Sequence, residues 1–265
     1  MTITSAITWL ALAVLVLLWL PLLAVIRLFD RDPALYTTGR WFRRLGWVMT
    51  RVNPAWQVEI SGTPPADPRR PFVVVANHQS NADIPVISTL PWEMKWVGKA
   101  ELFRMPVIGW LMRLAGDMPV DRGDPRSRSL VVRRARYYLE RHCSVMFMPE
   151  GTRSRDGRVK HFQDGAFRLA IEAGVPVLPL AVDGTAGALP ARGWMFGPVR
   201  CRVHVFEPVE TTGLMADHAP ELRERVRRQV VDKLAEWRGV SPADVDGAPG
   251  LEEATNSPAD AAGAG

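Results

Sequence analysis

The run Asn77-His78-Gln79-Ser80-Asn81-Ala82-Asp83 sets an imidazole and a carboxylate five residues apart. It follows an apolar stretch, 71–76, that reads as a strand, and opens a segment, 83–90, that reads as a short helix with Pro85 in its first turn. A histidine in a polar loop at a strand end is well placed to take a proton from a reacting hydroxyl. An aspartate one turn further on can fold back onto the ring, fix its tautomer and stabilise the imidazolium that forms. The spacing alone is a weak signal in a chain with five histidines. A structural histidine next to an N-capping aspartate fits the same residues.

Three further groups carry polar chemistry or frame it. In Phe147-Met148-Pro149-Glu150-Gly151-Thr152-Arg153-Ser154, an apolar strand ends in a glycine-containing loop with an arginine and two hydroxyls. Backbone N–H groups and a guanidinium in such a loop can hold a phosphate or a carboxylate; a solvated turn is the plainer reading. Lys99, and Arg122 in Val120-Asp121-Arg122, each follow a short apolar stretch, so both can point into one pocket mouth or lie as ordinary surface cations. Val175-Pro176-Val177-Leu178-Pro179-Leu180 offers no reactive group; its prolines suggest a wall or a sheet edge.

The elements that must position these residues alternate in type. Strands are predicted at 56–60, 71–76, 94–98, 144–148, 177–182 and 199–207, and helices at 83–90, 101–115, 125–142, 165–173 and 219–237. Pro106 and Gly109 interrupt the 101–115 segment. This alternation predicts an α/β fold in a single domain over 54–238. The 101–115 segment is more apolar than a half-buried helix needs. It reads as a core helix or as one wall of a groove for an aliphatic tail, with Trp110 and Met112 at its end.

Residues 7–26 contain no charged side chain and are long enough to cross a bilayer's hydrocarbon as a helix, with a kink or re-entrant break expected at Pro21. No Lys or Arg precedes Arg27, which favours a retained anchor over a cleaved signal peptide. Arg27, Arg31, Arg40, Arg43, Arg44 and Arg51 follow as a basic collar. Residues 33–52 interleave those arginines with Trp41, Phe42, Leu45 and Trp47, as in a helix lying in the headgroup layer or docked on the body. Residues 1–53 are therefore assigned to a membrane anchor and amphipathic segment, and the positive-inside rule puts the body on the cytoplasmic face of the cytoplasmic membrane. The net charge is +5, yet Asp244, Asp246, Glu252, Glu253 and Asp260 follow the last base, Arg238. Residues 239–265 are expected to be a disordered acidic tail, which leaves a more basic body. An apolar anchor and a basic collar select lipid, not nucleic acid, as the partner. Cys143 and Cys201 lie far apart without metal-site spacing, so reduced thiols and no metal centre are expected.

Together, in this order, the four groups resemble the glycerolipid acyltransferase family, which includes bacterial 1-acylglycerol-3-phosphate acyltransferases. The family pattern NHxSxxD is met at Asn77, His78, Ser80 and Asp83. A second block is met at Gly116 and Val120-Asp121-Arg122, a third, FPEGTRS, from Pro149 to Ser154, and a fourth at Val175, Pro176 and Pro179. The resemblance implies a mixed sheet flanked by helices. It also implies transfer of a fatty acyl group from acyl-CoA or acyl carrier protein to the sn-2 hydroxyl of lysophosphatidic acid, giving phosphatidic acid without a cofactor. It assigns His78 as base and Asp83 as its orienting partner. Glu150, Gly151, Thr152 and Arg153 would hold the glycerol phosphate, with Lys99 and Arg122 helping to neutralise it. Amides at 79–83 are the expected oxyanion donors. An acyl-enzyme on Ser80 is the rival route, disfavoured because no G-x-S-x-G elbow is present. The chain departs from the family at Phe162-Gln163-Asp164-Gly165, where a lysine is common. That leaves open another lysolipid, glycerol-3-phosphate or a lyso-ornithine lipid as acceptor, or a lipid-binding protein without turnover.

Overall fold

The computed structural model describes residues 2–53, 56–154, 156–188 and 196–247. It opens with two helices, α1 (Thr2–Phe29) and α2 (Tyr36–Val52), followed by strands β1 (Trp56–Gly62) and β2 (Val73–Ala76) and the short helix α3 (Asp83–Ile87). Strand β3 (Met94–Lys99), a 3-10 turn (Ala100–Arg104), α4 (Ile108–Ala115), β4 (Met118–Val120), α5 (Pro125–Leu139) and β5 (Ser144–Phe147) come next. The chain then runs through α6 (Gly165–Ala173), β6 (Val177–Asp183), α7 (Thr185–Ala188), β7 (Val199–Val205), α8 (Ala219–Arg238) and α9 (Pro242–Val245).

The strands form one seven-stranded sheet in the order β1-β7-β6-β2-β5-β3-β4. Five of them, β6, β2, β5, β3 and β4, are parallel; β7 runs antiparallel to β6, and β1 parallel to β7, so the sheet is mixed. The continuous apolar runs of the inner strands reflect burial on both faces. In β2, Val73 and Val75 face a core built with α5, α6 and α8, while Val74 and Ala76 face a second core with Val86, Ile87, Trp92 and Trp96. The parallel strands thus bring the loops after β2, β5, β3, β4 and β6 to a single carboxyl edge, where open parallel sheets carry their sites.

At 28 residues, α1 is about 42 Å long at 1.5 Å per residue. It continues through Pro21 as one helix, so the expected break is not seen. Leu10, Leu17, Leu18, Val25 and Leu28 stand exposed on it, and by length and composition it can cross a membrane. Its other side packs on α2 and α4 through Leu23, Leu45 and Leu111, and the Trp19 indole N–H donates to the Trp41 carbonyl at 2.9 Å. Helix α2 is docked on the body. Gly46 lies against α3 so closely that a Cβ there would meet the Ser88 Cβ at 2.6 Å, while Arg44, Trp47 and Arg51 face outward.

Several expectations are corrected. Arg43, assigned to the collar, is buried and ion-paired with Asp117 and Glu93; Lys95 bonds Glu93 at 3.0 Å, and the Leu35 and Ala115 carbonyls at 2.8 Å each. Charges withdrawn from water need such partners, and the residues just before β3 and β4 supply the acids. Arg40 is likewise turned inward, donating to the Leu90 and Trp92 carbonyls. The 101–115 segment is not one helix. Pro106 ends the first turn, Val107 takes φ +62°, and α4 starts at Ile108. Met112 packs inward beside Gly98 and Phe103, whereas Trp110 is half exposed and faces away from the interior, so Trp110 closes no internal groove. Strand β6 is interior, which excludes the edge reading and leaves that of a wall; Pro179 falls just before its ladder with β7 begins at Leu180. The tail is ordered through Gly247. Val245 is buried, and Asp246 pairs with Arg227 at 2.8 Å because α8 presents a buried guanidinium there. Glu252, Glu253 and Asp260 lie outside the described residues.

Candidate active site

The chain leaves β2 at Ala76 and turns immediately. Asn77 replaces a backbone pairing with its own carboxamide, donating to the Val182 carbonyl and accepting from the Val182 N–H, both at 2.8 Å. This fastens the start of the loop to β6. The next turn wraps around Asp83, whose side chain is fully buried. Its Oδ2 accepts from His78 Nδ1 at 2.6 Å and from the Gln79 and Ser80 amides at 2.8 and 3.0 Å. Its Oδ1 accepts the Thr185 hydroxyl. A carboxylate at Nδ1 puts the ring proton there and leaves Nε2 as an acceptor. Among the described residues no group bonds Nε2, and the His78 side chain is 14% exposed, so the lone pair is open to a ligand. The plainer reading, an N-cap beside a structural histidine, does not hold. Helix α3 is preceded by Ala82, with no side-chain cap, and Asp83 is spent on the imidazole.

Of the five amides expected as oxyanion donors, all but that of Asn81 are engaged elsewhere. The amides of Gln79 and Ser80 point at Asp83, that of Ala82 at the Ser80 Oγ, and those of Asp83 and Ile84 at turn carbonyls. Ser80 is buried, its Oγ engaged by the Ala82 amide, which does not suit a nucleophile.

The loop after β5 is tied to His78 by its backbone. Glu150 Oε1 accepts the His78 N–H at 2.7 Å, Glu150 Oε2 the Lys160 N–H at 3.3 Å, and the Ser154 N–H donates to the His78 carbonyl at 2.8 Å. Glu150 was assigned to phosphate binding by resemblance. Here both of its oxygens accept backbone N–H groups, which ties the loop to His78. Burial pushes its carboxyl up to about 7, partly offset by the His78 and Lys160 N–H groups. Gly151 turns the loop at φ +73°, a left-handed conformation that glycine adopts freely. Thr152 and Arg153 stand exposed on its outer side, and Lys160 Nζ reaches across to the Thr152 Oγ1 at 3.1 Å and the Arg153 carbonyl at 2.9 Å. Gln163 stands where the lysine is common, its N–H donating to the Pro149 carbonyl at 2.9 Å, and the neighbouring Asp164 pairs with Arg223 at 2.6 Å.

Lys99 ends β3 and Arg122 follows the carboxyl end of β4, on the same edge as His78 but further along it. With neighbouring strands about 4.8 Å apart, they stand roughly 10 and 14 Å from the line of β2. Lys99 pairs with Glu101 at 3.1 Å; both residues are exposed. The structure therefore joins His78, Asp83 and the 150–153 loop directly, and places Lys99 and Arg122 as outlying cations.

Sequence reasoning missed Thr185, Asp183 and Lys160. Asp183 accepts from Arg238 at 2.8 Å and Arg202 at 2.9 Å and, weakly, from the Gln79 side-chain Nε2 at 3.4 Å. Burial would raise its pKa, but the hydrogen bond and charge of Arg238, with Gln79 and Arg202, outweigh it and hold the carboxyl below its usual range. No spacing marks these residues, because only the sheet order makes β6 the neighbour of β2.

Residues 57–183 match the family model described as Acyltransferase. The chain is 38% identical over 164 residues to a chloroplastic 1-acyl-sn-glycerol-3-phosphate acyltransferase of Brassica napus, covering 60% of this chain and 47% of that protein. It is 34% identical over 184 residues to the human 1-acyl-sn-glycerol-3-phosphate acyltransferase alpha, 68% of this chain and 64% of that one. It thus spans between about half and two thirds of the length of these two curated relatives. The crystal structure of the 1-acyl-sn-glycerophosphate acyltransferase PlsC from Thermotoga maritima superposes with a TM-score of 0.72 at 26% identity, over 88% of this chain and 96% of that one. With the His–Asp loop on β2 and the Glu-Gly-Thr-Arg loop on β5 both inside the matched span, residues 57–183 carry an acyltransferase-family domain.

Proposed function

We propose that the protein is a membrane-associated O-acyltransferase that moves a fatty acyl group from a thioester donor, acyl-CoA or acyl carrier protein, to the sn-2 hydroxyl of 1-acyl-sn-glycerol-3-phosphate. The observation that carries this reading is an imidazole held by a buried carboxylate, with its Nε2 open, at a sheet edge shared with a cationic loop. His78 Nε2 takes the proton of the acceptor hydroxyl as its oxygen attacks the thioester carbonyl. The tetrahedral adduct collapses, the C–S bond breaks, and the imidazolium returns the proton to the thiolate. No cofactor or metal enters these steps.

The phosphate of the acceptor is assigned to Gly151, Thr152 and Arg153, with Lys99 and Arg122 adding a longer-range attraction. Glu150 is assigned a positioning role, through the His78 backbone. Lys160 favours a phosphate-bearing acceptor over an uncharged one, since it restores a cation on the loop although position 163 carries Gln. The exposed apolar side of α1 is assigned to the bilayer, and Arg27, Arg31, Arg44 and Arg51 to anionic headgroups, with the body on the cytoplasmic face. The test is thiol release from acyl-CoA in detergent micelles. Release should require 1-acylglycerol-3-phosphate and vanish in His78→Ala. Release that ignores the acceptor, or survives that substitution, removes the proposal.

A further inference from the structure

The end of β6 grips the His–Asp loop at three points. Val182 holds Asn77, Asp183 holds Gln79, and Thr185 holds Asp83. The last differs in kind from the other two, because it acts on the carboxylate that faces the imidazole. All three other donors to Asp83 converge on Oδ2. The Thr185 hydroxyl is the donor on Oδ1, and Thr185 is fully buried. Without it, Oδ1 is a buried acceptor with no partner. The carboxylate is then free to rotate toward other donors and carry Oδ2 off the line of His78 Nδ1. Thr185 itself is held in place by the turn before it. Gly184 takes φ +82°, and a Cβ there would lie 2.1 Å from the Arg200 carbonyl, so the turn from β6 into α7 requires glycine.

We infer that Thr185 is a positioning residue for catalysis, the third member of a His78–Asp83–Thr185 chain, which acts by fixing the rotation of the Asp83 carboxylate. This rests on the reading of His78 as the base. It predicts a loss in the chemical step with little change in binding, since Thr185 lies behind Asp83 and is closed off from ligand.

The test compares Thr185→Val, which keeps the shape and loses the donor, with Thr185→Ser, which keeps the donor. The assay is acyl transfer to 1-acylglycerol-3-phosphate by the full chain in micelles, with the His78 Nδ1–H proton resonance recorded in parallel and assigned through His78→Ala. The Val variant should lose about tenfold or more in kcat, the scale of one hydrogen bond to a charged group. The KM for each substrate should stay within about twofold, and the Nδ1–H resonance should shift or broaden. The Ser variant should recover both activity and resonance. If valine is not accommodated, Thr185→Ala carries the same comparison. A kcat within twofold of wild type, or a fall in kcat with the resonance unmoved, overturns the inference. If His78→Ala is itself active, the base assignment fails first; if His78→Ala is inactive and Thr185→Val is normal, only the role of Thr185 fails.

Discussion

Replacing Glu150 by Gln tests whether the buried carboxyl that joins the two loops governs stability with pH. Glu150 is 6% exposed, and its carboxyl is raised from an ordinary 4.5 to about 7, chiefly by burial. Between those values the folded protein keeps a proton there that the unfolded chain releases. The stabilisation is fully present below about pH 4.5 and is lost as pH rises through about 7. A gap of two to three units at 1.36 kcal/mol each makes the loss about 3 kcal/mol. Glutamine does not titrate. It can keep an oxygen toward the His78 N–H, but it turns an NH2 toward the Lys160 N–H, at a constant cost of about 1–3 kcal/mol. The variant should therefore melt below wild type at pH 5, and the difference should shrink or reverse by pH 8. At roughly 2–4 °C per kcal/mol for a chain of this size, the change in the Tm difference should be about 6–12 °C. Thermal unfolding in micelles from pH 4.5 to 8 measures it, and other titrating groups cancel between the two proteins. Parallel curves for wild type and variant would refute the argument, showing that Glu150 stays ionised across the window.

Asp83→Asn should lower kcat about a hundredfold or more while circular dichroism stays unchanged, since an amide does not stabilise the imidazolium as a carboxylate does; activity lost only together with the fold would leave the orienting role unsupported. Arg153→Ala should raise the acceptor KM by roughly ten- to a hundredfold and leave the donor KM alone, the scale of a guanidinium–phosphate bond; equal changes for both substrates would make the loop structural. Lys160→Met should weaken the acceptor in the same direction, and Lys160→Arg should restore it, as read from acceptor titrations. Glu93→Ala should destabilise the fold by about 3–5 kcal/mol in denaturant titration, because it strands Lys95 and removes one of the two acids beside Arg43; a change under about 1 kcal/mol would mean that water reaches the cluster.

The α/β class was legible because buried parallel strands must be short apolar runs, as at Val73–Ala76 and Val177–Asp183, and the helices between them must carry one apolar stripe. The His78–Asp83 pairing was legible for a similar reason: five residues around one turn are close however the rest of the chain folds. A single charge-free run in 7–26 likewise fixes a long apolar helix by local composition. Other features were not local. Whether Arg43 meets lipid or Asp117 depends on which side of α2 docks, and its amphipathic pattern, arginines among aromatics, is compatible with either. The order of 239–247 depends on a buried Arg227 that needs Asp246. The direction of the Glu150 carboxylate, the spending of the Gln79 and Ser80 amides on Asp83, and the reach of Thr185 from more than a hundred residues away all follow from β2 lying between β5 and β6. The sequence by itself determined which residues could do chemistry and the local turns that hold them. The sheet order decided which of them meet, because hydrogen bonds and buried charges act over a few ångströms, and only strand pairing brings distant segments that close.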